Sequence, residues 1–189
     1  MLKYVNQYFA DKFTPLIRNL HYLILFFVLL QIVISNFIEV TDEGLVSHDV
    51  IEYYATWAHI GIGLSLLLLV IVFITVELSK HGFSYFYPYL SGDIAQLKLD
   101  ISQLKLFKIP DLAPKGLAAI VQGLGLGAAL LVVLSGTAWF ILWLLDSPLN
   151  NDIKEIHQLL TGLIEAYVVA HGGMGLLHLF ITYRKAANK

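Results

Sequence analysis

The sequence predicts an all-α membrane protein, a four-helix transmembrane bundle, and three observations carry that reading. Hydrophobic residues make up 58% of the 189-residue chain and charged residues only 14%, whereas soluble domains average about 25% charged residues. Mean hydropathy is +0.73. The apolar residues gather in four long runs, each reaching the ~20 residues that a bilayer crossing needs. Charges are sorted between those runs, so the net charge of −2 says little about partners. The length leaves no room for a second soluble domain, and residues 1–189 read as one integral-membrane unit.

The first span is expected over 15–38, with Pro15 at the helix start, where the missing N–H has no partner to lose. The second, over 51–78, opens IEYYATWAHIGIG and continues through an almost unbroken Leu/Val/Ile stretch. The third is expected over 114–145, long enough to tilt or to project beyond the bilayer. The fourth covers 152–183. Between the second and third lies the loop 79–113, the one substantial polar segment. Within it Ile94, Leu97, Ile101, Leu104 and Leu106 fall mostly at helical spacing with lysines between. That pattern suits a short amphipathic helix on the membrane surface or a loop helix packed on the bundle. The N-terminal apolar run has no small-residue cleavage site after it, so it reads as a retained helix rather than a signal peptide.

Orientation follows from the basic residues. Lys3, Lys12 and Arg18 precede the first span, Lys80, Lys98, Lys105, Lys108 and Lys115 lie between the second and third, and Arg184, Lys185 and Lys189 follow the fourth. Only Lys154 falls on the opposite side. Cytoplasmic loops carry the excess of Lys and Arg, so both termini and the long loop are expected in the cytoplasm. The outer face then carries Glu39, Asp42, Glu43, Asp49, Glu52, Asp146, Asp152 and Glu155, and is anionic.

Three histidines on the fourth span supply the chemistry. Thirteen residues separate His157 from His171, and six separate His171 from His178. A step of fourteen leaves two side chains ~40° apart in azimuth and ~21 Å apart along the axis, so both project into one bundle interior at two depths. That is the geometry of two stacked haems, for which imidazole is an axial ligand. His59 of the second span is level with His157. His21 of the first span lies toward the cytoplasm, where counting from the helix ends favours His178 and the depth of a porphyrin inside the bundle favours His171. Cysteine is absent, which excludes disulfides, iron–sulfur ligation and covalent haem attachment; a haem here is non-covalent. His48 and His81 read as solvated loop residues.

Several neighbours join this set. Arg18, one turn before His21, suits either a haem propionate or a positive-inside anchor. Gly61, Gly63, Gly162, Gly172, Gly173 and Gly175 flank ligand positions, where a missing side chain admits a flat macrocycle or a neighbouring helix. Gly123, Gly125, Gly127 and Gly136 have no histidine nearby in sequence and read as helix packing. Glu165 falls near the bilayer centre, where a charged carboxylate is costly, and is expected to be hydrogen-bonded to Gln122, Ser135 or Thr137.

The segments IHQLLTGLIEAYVVAHGGMGLLH, NLHYLILF and WAHIGIG together resemble the bacterial cytochrome b561 family, which includes the cytochrome b subunits of nickel–iron hydrogenases. The resemblance extends over all four spans. It implies two b haems, His21 with His171 ligating the cytoplasmic-side one and His59 with His157 the outer one, and electron exchange with quinone in a bacterial inner membrane. Span three departs from the pattern: KGLAAIVQGLGLG lacks the histidines that some single-subunit members carry near its start, which weakens any carry-over of their quinone site. YPYLSGD looks more like the partner-coupled members.

Three functions are then weighed. One is an electron conduit between quinone and a redox partner, such as a periplasmic c-type cytochrome, at the acidic outer face. In it His178, nearer the cytoplasm, suits a propionate or a quinone carbonyl. Another is a superoxide oxidase passing electrons to quinone, disfavoured because an anionic substrate is drawn by positive potential. The third is a His-lined metal or proton transporter without haem. Oligomeric state stays open between monomer and homodimer.

Overall fold

The computed structural model describes residues 13–41, 45–110 and 113–187. It contains α1 (Pro15–Ser35), α2 (Val50–His81), α3 (Ala95–Lys105), α4 (Leu117–Leu144) and α5 (Asn150–Ala187). A single helical turn, Phe83–Phe86, and a 3-10 turn, Pro88–Ser91, precede α3. The described residues hold no β-strand beyond one isolated bridge between Val40 and Val46. Four helices, α1, α2, α4 and α5, are long and apolar enough to cross a membrane, as the sequence predicts. They pack in chain order, α1 on α2, α2 on α4 and α4 on α5.

Each boundary has a local cause. α1 stops at Ser35, short of the expected 38, because the Asn36 side chain turns back and donates to the carbonyls of Ile32 at 2.8 Å and Val33 at 3.4 Å. Asp49 caps α2, accepting from Ile51 N at 2.9 Å and Glu52 N at 3.4 Å. α2 runs on to His81 and ends at Gly82, whose φ of +78° suits glycine. His81 therefore closes a helix instead of lying in a loop, with Nε2 3.9 Å from Glu77 Oε2.

α4 begins at Leu117 rather than at 114, and its first turn is capped from outside the helix. Asp100 of α3, 2% exposed, accepts from Leu117 N at 2.7 Å and from Gln96 Nε2 at 2.8 Å. Lys115 Nζ adds a 2.7 Å ion pair to Asp93. The loop helix is thus held on the bundle through its polar face, and Leu99, Ile101, Leu104, Leu106 and Phe107 stay exposed. Nearby, Phe86 is fully buried and Tyr87 Oη donates to the Gly123 carbonyl at 2.7 Å. Burial, with Tyr89 adding to it, pushes the Tyr87 phenol above its ordinary value, so this tie keeps its proton through the neutral range.

The core sits at mid-height, where buried Leu66, Val70 and Val133 pack with Ile24, Phe27, Val28 and Ile62. It joins α1, α2 and α4 and leaves α5 to close the bundle. One end carries Glu39, Asp49, Glu52, Asp146, Asp152 and Glu155 and the other Arg18, Lys80, Lys98 and Lys115. Asp42 and Glu43 lie outside the described residues, as do Lys3 and Lys12.

Candidate cofactor sites: two imidazole pairs

Four histidines from three helices meet as two pairs. His21 of α1 faces His171 of α5 with ring centroids 6.3 Å apart. His59 of α2 faces His157 of α5 at 6.2 Å. Two metal–nitrogen bonds of about 2.0 Å, plus ~1.15 Å from each nitrogen to its ring centre, put the centroids of trans imidazole ligands ~6.3 Å apart. Both pairs have that separation, the spacing that two imidazoles would need in order to share a haem iron. It is His171, not His178, that meets His21; His178 Nδ1 lies 3.2 Å from the Met174 carbonyl on its own helix.

The pair nearer the acidic end is the more fully built. Ser135 Oγ lies 3.0 Å from His157 Nδ1 and also 3.0 Å from the Val132 carbonyl. Ser135 donates its one proton to Val132, which leaves its oxygen able to accept from His157 Nδ1–H. The tautomer protonated at Nδ1 has a bare Nε2, the form that binds a metal. Gly136 holds the same ring from one side, since an added Cβ would stand 2.9 Å from His157 Cε1. On the other helix, Gln31 Nε2 donates to the His59 carbonyl at 2.8 Å. A cavity of about 490 Å³ opens between the four long helices here, lined by His59, His157, Gln31, Gly63, Trp139 and Lys154. His59 Nδ1, Gln31 Oε1 and Trp139 Nε1 are buried along it without a protein partner, a condition that native interiors rarely tolerate unless something else supplies the bond.

At the basic-end pair, Tyr167 stacks on His171 with centroids 5.1 Å apart and planes at 10°. Tyr167 in turn occupies the space over Gly125, where an added Cβ would collide with its phenol ring. Arg18 is half-buried one turn from His21 and makes no side-chain hydrogen bond or ion pair to a described residue. Added Cβ atoms at Gly61, Gly162, Gly172, Gly173 and Gly175 would meet nothing within 4 Å, and one at Gly63 would meet Gln31 Nε2 at 3.1 Å.

Gly125 and Gly136 pack against the neighbouring helix as expected, but what they pack against belongs to the imidazole pairs: Gly136 faces His157, and Gly125 faces Tyr167, which stacks on His171. No sequence proximity betrays this, because the contact runs between helices. Glu165 is exposed on α5 rather than bonded to Gln122, Ser135 or Thr137. Thr137 Oγ1 donates instead to Val133 O at 2.7 Å, and Ser135 is committed to Val132 and His157. Among the described residues no group of three or more His, Asp or Glu converges as a conventional metal site. Two opposed imidazoles are a donor set suited to axial ligation of a haem iron.

A family model described as Prokaryotic cytochrome b561 matches residues 12–187, all four spans included. Neither a curated protein nor a solved structure matches the chain.

Proposed function

Because the chain belongs to the prokaryotic cytochrome b561 family, and so is a multi-pass membrane cytochrome b of electron transfer, we propose that it holds two b haems and moves single electrons between quinone and a redox protein at its acidic face. The observation that carries this reading is the pair of centroid separations, 6.3 and 6.2 Å, at two levels along one face of a common helix. His21 with His171 holds one iron and His59 with His157 the other. Bound iron supplies a one-electron couple at each level. The chain's residues supply position. α5 carries its two ligands fourteen residues apart, ~21 Å of helix, across most of the ~30 Å hydrocarbon core, so one site approaches each face.

The distribution of Lys and Arg supports an orientation with both termini and the α2–α4 loop in the cytoplasm of a bacterial inner membrane. The acidic end is then periplasmic. Its carboxylates favour a positively charged protein partner such as a c-type cytochrome and repel superoxide. At the opposite end, His178 and Arg18 lie within two helical turns of the His21–His171 pair and supply the cationic or hydrogen-bonding groups that a quinone carbonyl or a propionate needs.

Stopped-flow haem reduction tests the reading. A quinol and a reduced c-type cytochrome should each reduce the protein, the second with a rate that falls steeply as salt shortens the Debye length from ~10 Å at 0.1 M to ~3 Å at 1 M. Superoxide should react slowly. Fast reduction by superoxide that ignores reversal of Glu39, Asp49, Asp146 and Asp152 to Lys would make the protein a superoxide oxidase instead. Absence of a Soret band would return the His-lined transporter to the front.

A further inference from the structure

Lys154 is the single basic residue on the acidic side of the bundle, and the positive-inside rule gives no reason for a lysine there. Its position offers one. It lines the cavity between the four helices and lies three residues, one turn toward the acidic end, from His157. Trp139 lines the same cavity from α4, again three residues from the residue, Gly136, that touches the His157 ring. At 1.5 Å per residue both side chains start ~4.5 Å above the His157 level. Trp139 is held flat against Trp143 with centroids 5.9 Å apart and planes at 9°, and its Nε1 is buried without a protein partner. Lys154 Nζ donates to the Val40 carbonyl at 3.0 Å, which brings the ammonium to the mouth of the cavity beneath the α1–α2 loop.

A cation and a fixed N–H donor, both on one side of an imidazole pair in a cavity whose remaining polar lining includes Gln31, Gln158 and the single carboxylate Glu39, are the recognition chemistry of a carboxylate. Resting on the two-haem reading above, we propose that Lys154 and Trp139 clamp the propionates of the haem held by His59 and His157. The ammonium has three N–H bonds, one of them given to Val40, so that tie and a carboxylate contact are compatible. The clamp does two things. Lys154 and Trp139 would hold the group's carboxylates on the acidic side of the His59–His157 pair. The clamp also sets a positive charge beside a couple whose reduced form is less positive, which raises the potential of that haem relative to a site without the charge.

The test is a redox titration of the detergent-purified protein, with the two couples assigned by their loss in His59→Ala and His21→Ala. Lys154→Met should lower the midpoint of the His59–His157 haem alone, by about tenfold in the reduction equilibrium, which is 59 mV for one electron. Lys154→Arg, which keeps the charge, should restore most of it, and Trp139→Phe should shift the same couple in the same direction by less. The propionate bending band in resonance Raman should move in Lys154→Met. A structural tie to Val40 alone would lower thermal stability in Lys154→Met without moving either the band or the midpoint. Unchanged midpoints in both Lys154→Met and Trp139→Phe, or equal shifts of both haems, would overturn the clamp. A wild-type chain with fewer than two haems would overturn the two-haem reading and this clamp with it.

Discussion

Gly136→Ala isolates one imidazole pair with the smallest perturbation the genetic code of side chains allows. The added methyl would stand 2.9 Å from His157 Cε1, 3.3 Å from Nδ1 and 3.4 Å from Nε2. Favourable carbon–carbon contact begins near 3.5 Å, so the ring must retreat ~0.6 Å. A retreat of that size also perturbs the 3.0 Å Ser135–His157 contact, which weakens as it lengthens. Both the position and the hydrogen bond of His157 suffer. Overpacking of this kind costs about 1–3 kcal/mol, and at 1.4 kcal/mol per tenfold the haem at His59–His157 should bind about 5-fold to 150-fold more weakly. The assay is haem retention per chain during washing with apo-myoglobin as acceptor, read by pyridine haemochrome. The expected result is loss of one haem with the other kept. Gly127→Ala, on the same helix with nothing within 4 Å of the new Cβ, is the control and should retain both. If Gly136→Ala kept two haems as tightly as Gly127→Ala, the contact between Gly136 and a ligand would not exist as described.

Other perturbations reach the remaining parts of the account. Gly125→Ala should displace Tyr167 and with it the stacked His171 ring, so the His21–His171 haem should weaken while the other is unaffected, the mirror image of Gly136→Ala in the same assay. His178→Ala should keep both haems yet slow reduction by quinol in stopped flow; loss of the His21-side haem in that variant, with retention in His171→Ala, would reverse the ligand assignment. Asp100→Ala leaves Leu117 N–H without its acceptor and should cost about 1–2 kcal/mol, a fall of ~2–8 °C in the thermal midpoint for a chain of this length, with Asp100→Asn milder because an acceptor oxygen remains. A midpoint unchanged in Asp100→Ala would show that the α3–α4 cap does not hold the loop helix.

The four spans were legible because hydrophobic length alone decides a membrane crossing, and that signal needs no tertiary information. The level of His59 with His157 was legible for the same reason, since helix ends and a rise per residue fix depth. Azimuth was harder. Depth counting favoured His178 as the partner of His21 and the spacing of stacked macrocycles favoured His171; the structure brings His171 to His21, because α5 extends from Asn150 to Ala187 and depth counted from its end misleads. What stayed hidden were contacts between helices that are distant in sequence: Ser135 on His157, Gly136 under the same ring, Tyr167 between Gly125 and His171, and Asp100 of α3 capping α4. Each is a one-residue event on a uniformly apolar or polar background, and periodicity averages over such events. Glu165 failed in the opposite direction. Cost in lipid predicted a bonded carboxylate, but Glu165 is exposed on α5, and of its candidate partners Thr137 is bonded to Val133 and Ser135 to Val132 and His157.

The most direct test of the account is the number and ligation of haems in the purified chain. Pyridine haemochrome against protein concentration, with low-temperature electron paramagnetic resonance, should give two haem b per chain, both low-spin with two imidazoles. Ala at His59 or His157 should remove one haem and Ala at His21 or His171 the other. A single haem in the wild type, or two low-spin haems surviving in any of those four variants, would contradict the paired-imidazole claim.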